Sequence, residues 1–172
     1  MKTLIAISAA VLLAACQTVP TEPLRANAGL KPTKGNKTFG EANFEQVGNK
    51  VRVSVFVEGL RPGQEHGLHI HEKGDCSSGD GMSAGGHYNP AGKPHGDHRS
   101  GGERHAGDLP NLRADGYGNA SATFDTTGIT VGGGSADIIG KGLIVHRDPD
   151  DYKSQPAGNA GPRIACAVIQ KG

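Results

Sequence analysis

The feature that most constrains this chain is a run of strict alternation. Val51, Val53, Val55 and Val57 are interleaved with Arg52, Ser54, Phe56 and Glu58. Period two places the four valines on one face of an extended strand and the other residues on the opposite face, as expected for a sheet with one side buried. Ala26, Ala28 and Leu30 repeat the pattern, and Leu68 and Ile70 alternate with His69 and His71. Similar short β-branched runs fall around residues 119–125, 136–146 and 163–169. Turn signals separate them: Gly48-Asn-Lys50, Arg61-Pro-Gly63, Asp115-Gly-Tyr-Gly118 and Val131-Gly-Gly-Gly134. No segment carries an amphipathic helical pattern. The expectation is an all-β protein, an antiparallel sandwich or barrel, and 172 residues are too few for two ordinary domains.

Two stretches interrupt the rhythm: residues 72–112, dense in Gly, His, Asp and Pro, and residues 147–162. Loops this long in a compact domain are usually functional, so the chemistry is expected there. The charge balance, 18 basic against 17 acidic residues, offers no footprint for a phosphate backbone, and nucleic acid is not an expected partner. With 28 glycines, 10 prolines and no tryptophan, the core buries modest area per residue, so a disulfide or a metal is expected to add stability.

At the N-terminus, Lys2 precedes an apolar run from Leu4 to Leu13, followed by Leu13-Ala14-Ala15-Cys16. The run is too short to span a bilayer and reads as an export signal. Leu-Ala-Ala-Cys resembles the lipobox of bacterial lipoproteins. That resemblance implies a signal peptide over residues 1–15, acylation of Cys16, and, from Gln17, anchoring to the outer membrane, with a periplasmic location in the cell envelope expected and the face of the outer membrane left open. Residues 16–24 then form a polar tether, and the folded domain is expected over 25–172. With Cys16 acylated, Cys76 and Cys166 remain as one candidate disulfide pair in an oxidising compartment.

The eight histidines are His66, His69, His71, His87, His95, His98, His105 and His146. His69 and His71 stand two apart on a strand, so both imidazoles share a face at a separation suited to one metal ion. Further histidines follow in the first long loop. Together they point to metal binding.

Five segments, in order, carry a specific resemblance: His66-Gly-Leu-His-Ile-His71-Glu, Gly85-Gly-His-Tyr-Asn-Pro90, Arg104-His-Ala-Gly-Asp-Leu-Pro110, Leu143-Ile-Val-His146 and Asn159-Ala-Gly-Pro-Arg-Ile-Ala-Cys166. From about residue 25 onward the chain resembles the copper/zinc superoxide dismutases. The resemblance implies a Greek-key β-sandwich or flattened barrel with two long functional loops, holding one copper and one zinc ion per chain. It places copper on His69, His71, His87 and His146, and zinc on His87, His95, His105 and Asp108, with His87 bridging the two. It implies that Asp150 links a copper histidine to a zinc histidine, and that Arg163 attracts and orients the superoxide anion. The Cys76–Cys166 bridge would tie the metal-bearing loop to the strand of Arg163. The activity implied is dismutation of superoxide to oxygen and hydrogen peroxide, protecting the cell envelope.

Three points stay open at this level. His98 lies between His95 and His105, so His95, His98 and Asp108 form an alternative zinc set; the Arg-His-x-Gly-Asp-Leu context favours His105. The second loop is short, which leaves Lys153, Lys93 and Arg99 as the candidates for steering substrate. Both a monomer and a homodimer are compatible with the resemblance. A non-catalytic, lipid-anchored copper-binding protein of the same fold is the alternative function.

Overall fold

The structure is a computed structural model that describes residues 22–99, 101 and 103–172. The export run, Cys16 and residues 17–21 of the tether lie outside the described residues. Among the described residues there is no α-helix, and none long and apolar enough to cross a membrane.

Seven strands form one antiparallel sheet in the order β5 (Leu68–His71), β8 (Gly142–His146), β9 (Arg163–Val168), β1 (Arg25–Pro32), β2 (Phe39–Val47), β3 (Lys50–Glu58) and β7 (Ala120–Thr126). The short β10 (Gln170–Lys171) adds to β1. A separate pair, β4 (Glu65–His66) with β6 (Leu112–Arg113), lies where the chain enters the two outer strands, β4 running through Gly67 into β5 and β6 leading on to β7. This pair therefore marks where the edges of the curled sheet approach, and the sheet bends toward a barrel as the sequence implied.

The alternation in the sequence is the packing. Val51, Val53, Val55 and Val57 are buried against Ala26, Ala28, Leu30, Ala42 and Phe44, while their neighbours in β3 face outward. β5 and β8 behave differently, being buried at every position. Leu68, Ile70, Leu143 and Val145 join the main core. On the other face, Ile144 and Cys166 pack with Ala84 and Cys76 in a second, small apolar cluster. The first long loop supplies Ala84 and Cys76, so it lies over the outer face of β5, β8 and β9, the face to which alternation directs His69, His71 and His146.

The expected strand over 136–146 is shorter than its composition suggested. Only Gly142–His146 forms a strand, Asp137 making no more than an isolated bridge to Thr130, because the residues between them turn: Lys141 N donates to Ile138 O, and Gly140 adopts φ 79°. The two long loops fall where expected, with one 3₁₀ turn, Met82–Ala84, inside the first.

Candidate metal centre

β5 carries His69 and His71, and both loop residues that join them are brought in by backbone pairing: Asp108 bridges to His69, and His87 to His71. His146 ends β8 at a register shift opposite Arg163. An irregularity of this kind re-aims a side chain at a strand end, here beside the two histidines of β5.

The ring nitrogens sort themselves by their partners. Carbonyls and carboxylates only accept hydrogen bonds, so the nitrogen facing one carries the proton and the other keeps its lone pair. His69 Nε2 donates to Asp150 Oδ2 at 2.8 Å, His71 Nδ1 to Gly85 O at 3.0 Å and His146 Nδ1 to Gly161 O at 3.0 Å. The opposite nitrogens, His69 Nδ1, His71 Nε2 and His146 Nε2, are buried with no hydrogen-bond partner, and so is His87 Nε2. All four histidines offer ligand atoms within 4.8 Å of one another. Four buried lone pairs without donors are costly unless a cation shares them.

Burial pushes the imidazoles of His71, His87 and His146 toward the neutral, ligating form. It lowers His87 to about 4 and His146 to about 3, helped in both by the neighbouring His69, and it holds His71 well below the usual range.

His87 turns its other nitrogen to a second cluster. His87 Nδ1 lies 2.8 Å from Asp108 Oδ1, with His95 Nδ1 at 3.0 Å and His105 Nδ1 at 3.2 Å from the same oxygen, and His105 Nδ1 is 3.4 Å from His87 Nδ1. A tetrahedron with bonds of about 2.0–2.1 Å has edges of roughly 3.3–3.4 Å. Three nitrogens and one carboxylate oxygen in this packing fit a small tetrahedral cation. Asp108 Oδ2 is occupied elsewhere, accepting from the backbone N of Gly96 and of His105. Burial opposes ionisation of Asp108, but the three imidazoles outweigh it and keep the carboxylate charged.

Asp150 touches both clusters. Its Oδ2 accepts from His69, and its Oδ1 from His95 Nε2 at 2.9 Å. His95 is buried, which disfavours its charge, yet its bonds to Asp108 and Asp150 overcome that and raise it to about 9. Arg163 donates from Nη1 to Gly81 O and from Nη2 to Gly85 O, each at 2.6 Å. Its charge is felt by both His71 and His146.

His98 stands outside both clusters. Its ring packs 5.4 Å from Tyr152, and Nδ1 lies 3.5 Å from Asp97. His66 lies outside the two clusters and donates to His146 O at 3.0 Å. Two of the steering candidates meet carboxylates locally, Lys93 on Glu103 and Arg99 on Asp97, while Lys153 is exposed. Cys76 and Cys166 form a disulfide.

The sequence did not reveal several supporting residues. Gln155 grips the backbone of His95, accepting from its N and donating to its O, both at 2.9 Å. Asn111 exchanges hydrogen bonds with the backbone of Asp150. Neither has a motif of its own, because a side-chain amide reading a backbone group leaves no spacing signature.

Comparison with known proteins agrees with this geometry. The family model described as copper/zinc superoxide dismutase (SODC) matches residues 38–169. The copper–zinc superoxide dismutase 2 of Aquifex aeolicus is 40% identical over 154 residues, covering 87% of this chain and 89% of the relative. The extracellular copper–zinc superoxide dismutase of Drosophila melanogaster is 45% identical over 144 residues, covering 79% and 75%. A crystal structure of the clock protein EA4 superposes with a TM-score of 0.78 at 38% identity, covering 87% of this chain and 96% of that one. The chain belongs to the copper/zinc superoxide dismutase family, whose members are oxidoreductases that use copper and zinc.

Proposed function

We propose that His69, His71, His87 and His146 hold the copper ion, that His87, His95, His105 and Asp108 hold the zinc ion, and that Arg163 guides superoxide to the copper. The observation that carries this reading is His87, which presents a buried, unpartnered Nε2 to one cluster and Nδ1 to the other. Copper bound there would supply the one-electron redox couple that dismutation needs. The residues around it do the rest. His87 has a proton position on Nε2 whenever that nitrogen is released, while its Nδ1 remains held among Asp108, His95 and His105. Asp150 orients His69 and His95 together, in the manner of an outer carboxylate that fixes ligand tautomers. Arg163, charged and half-buried beside His71 and His146, favours a small anion at the rim.

The zinc reading excludes a hydrolytic role for that cluster, since four protein ligands leave no open position for an activated water. The copper-carrier alternative requires no bridging histidine and no anion-binding arginine. The deciding experiment loads the chain with copper and zinc, then measures superoxide loss and metal content on one sample. Fast copper-dependent loss at one copper and one zinc per chain is the expected result. Both metals bound without turnover would establish the carrier instead.

The same proposal places the domain in the cell envelope on a lipid carried by Cys16. The short apolar run, the Leu-Ala-Ala-Cys sequence and a disulfide suited to an oxidising compartment support it. Labelled fatty acid should enter the wild-type chain and not the Cys16→Ser variant. Sedimentation across a concentration range separates the monomer from the homodimer.

A further inference from the structure

Tyr152 occupies a place that an aromatic side chain rarely takes. Its φ is 60°, in the left-handed region where glycine and asparagine are at ease and bulky residues are not. Such a conformation persists only where the surroundings hold it. The backbone would be satisfied by a glycine, so the side chain has to account for the tyrosine.

Its contacts converge on Asp150. Tyr152 N donates at 2.7 Å to Asp150 Oδ1, the oxygen that also accepts from His95. The Tyr152 hydroxyl accepts from Asn111 N at 2.9 Å. Asn111 in turn donates from Nδ2 to Asp150 O and accepts on Oδ1 from Asp150 N, both at 2.9 Å. The phenol, the amide side chain and the aspartate backbone thus close a ring of hydrogen bonds behind the carboxylate that joins His69 to His95. The face of the ring reaches the other loop: the His98 ring lies 5.4 Å away, and Arg99 Cζ lies 5.4 Å from the ring centroid. Aromatic and cation–π contacts of this kind fasten the segment 97–99 onto the loop of Asp150. This also gives the ring of His98 a place other than the zinc cluster.

We infer that Tyr152 is a positioning residue: it pins the second loop to the first and sets the Asp150 carboxylate between His69 and His95, so that zinc is retained. The inference rests on the zinc assignment above and adds a residue to it. Removing an outer partner of a metal ligand typically costs 10–100-fold in metal affinity.

The test uses the full chain loaded with copper and zinc, in wild type, Tyr152→Phe and Tyr152→Asn. Phenylalanine keeps the ring and loses the hydroxyl; asparagine tolerates the left-handed backbone and loses both. Zinc release to a chromogenic chelator should rise about tenfold or more in Tyr152→Asn and by a smaller factor in Tyr152→Phe. The visible spectrum of cobalt placed in the zinc site should shift in Tyr152→Asn, and melting of the metal-free variants should stay close to wild type. Release within twofold of wild type in both variants, with unchanged cobalt spectra, overturns the inference. So does faster release matched by a fall in metal-free melting temperature with the cobalt spectrum unchanged, which is general loosening. A wild-type chain that takes up no zinc would overturn the zinc assignment itself, and the inference with it.

Discussion

Arg163 and His71 donate to the same acceptor, the carbonyl oxygen of Gly85, at 2.6 and 3.0 Å. One peptide group therefore fixes both the guanidinium and a proposed copper ligand, and Gly81 O holds the other end of the fork. The arginine's backbone is held as well, since Thr33 Oγ1 donates to Arg163 O at 2.8 Å. Arg163 is thus positioned independently of any ligand nitrogen.

From this follows a separation of effects in Arg163→Ala. The variant should bind copper and zinc at wild-type stoichiometry and lose about tenfold or more in superoxide turnover, the lower range of what electrostatic guidance contributes. The wild-type rate should also fall with ionic strength more steeply than the variant's. Metal analysis and turnover on the same preparation check both; loss of metal would show that Arg163 holds the site together instead of serving the anion.

Asp150 supplies two acceptors to two histidines, and an amide can supply only one. Asp150→Asn should leave an N–H of His69 or His95 facing an NH₂ group. Metal affinity should fall by about 10–100-fold, read by competition with chelators. Unchanged affinity for both metals would mean that the aspartate is a bystander to the two rings.

Much of this arrangement was legible in the sequence because it rests on short periods. Alternation placed the valines of β3 in the core and His69 and His71 on one shared face. The resemblance of the loop segments located His87, His105 and Asp108, which no periodicity could have paired with β5. What escaped was the scaffolding contributed by carbonyls and amides: Gly85 O, Gly161 O, Gln155 and Asn111 act through backbone geometry that exists only once both loops are folded over the sheet. The shortened strand at 142–146 escaped for a related reason, since Gly140 turns the chain where β-branched composition alone would extend it.

The choice between His98 and His105 is open to a direct comparison. His105 Nδ1 lies 3.2 Å from Asp108 Oδ1, whereas His98 faces Tyr152 and Asp97. At saturating zinc, His98→Ala should keep one zinc per chain and His105→Ala should lose it, as measured by elemental analysis after desalting. The reverse result would move the zinc ligand to His98.

The disulfide joins residues 90 apart, and it does so across the small cluster of Ala84, Ile144 and Cys166 on the outer face of the sheet. Closing a loop of that length restricts the unfolded chain by about 4–5 kcal/mol on the chain-entropy model. The Cys76→Ser, Cys166→Ser double variant should therefore unfold at markedly lower denaturant than wild type when both are metal-free, where a single transition is the fair comparison. A second consequence concerns geometry. Cys76 anchors the segment that leads to Gly81 and Gly85, the two carbonyls gripping Arg163, and Cys166 lies three residues beyond Arg163 on the same strand. Without the bridge, that segment is tied to β9 only by noncovalent contacts, so turnover per copper-loaded, folded chain should fall as well as stability. Turnover at wild-type level in a folded but less stable variant would confine the disulfide to stability and leave the placement of Arg163 to its hydrogen bonds alone.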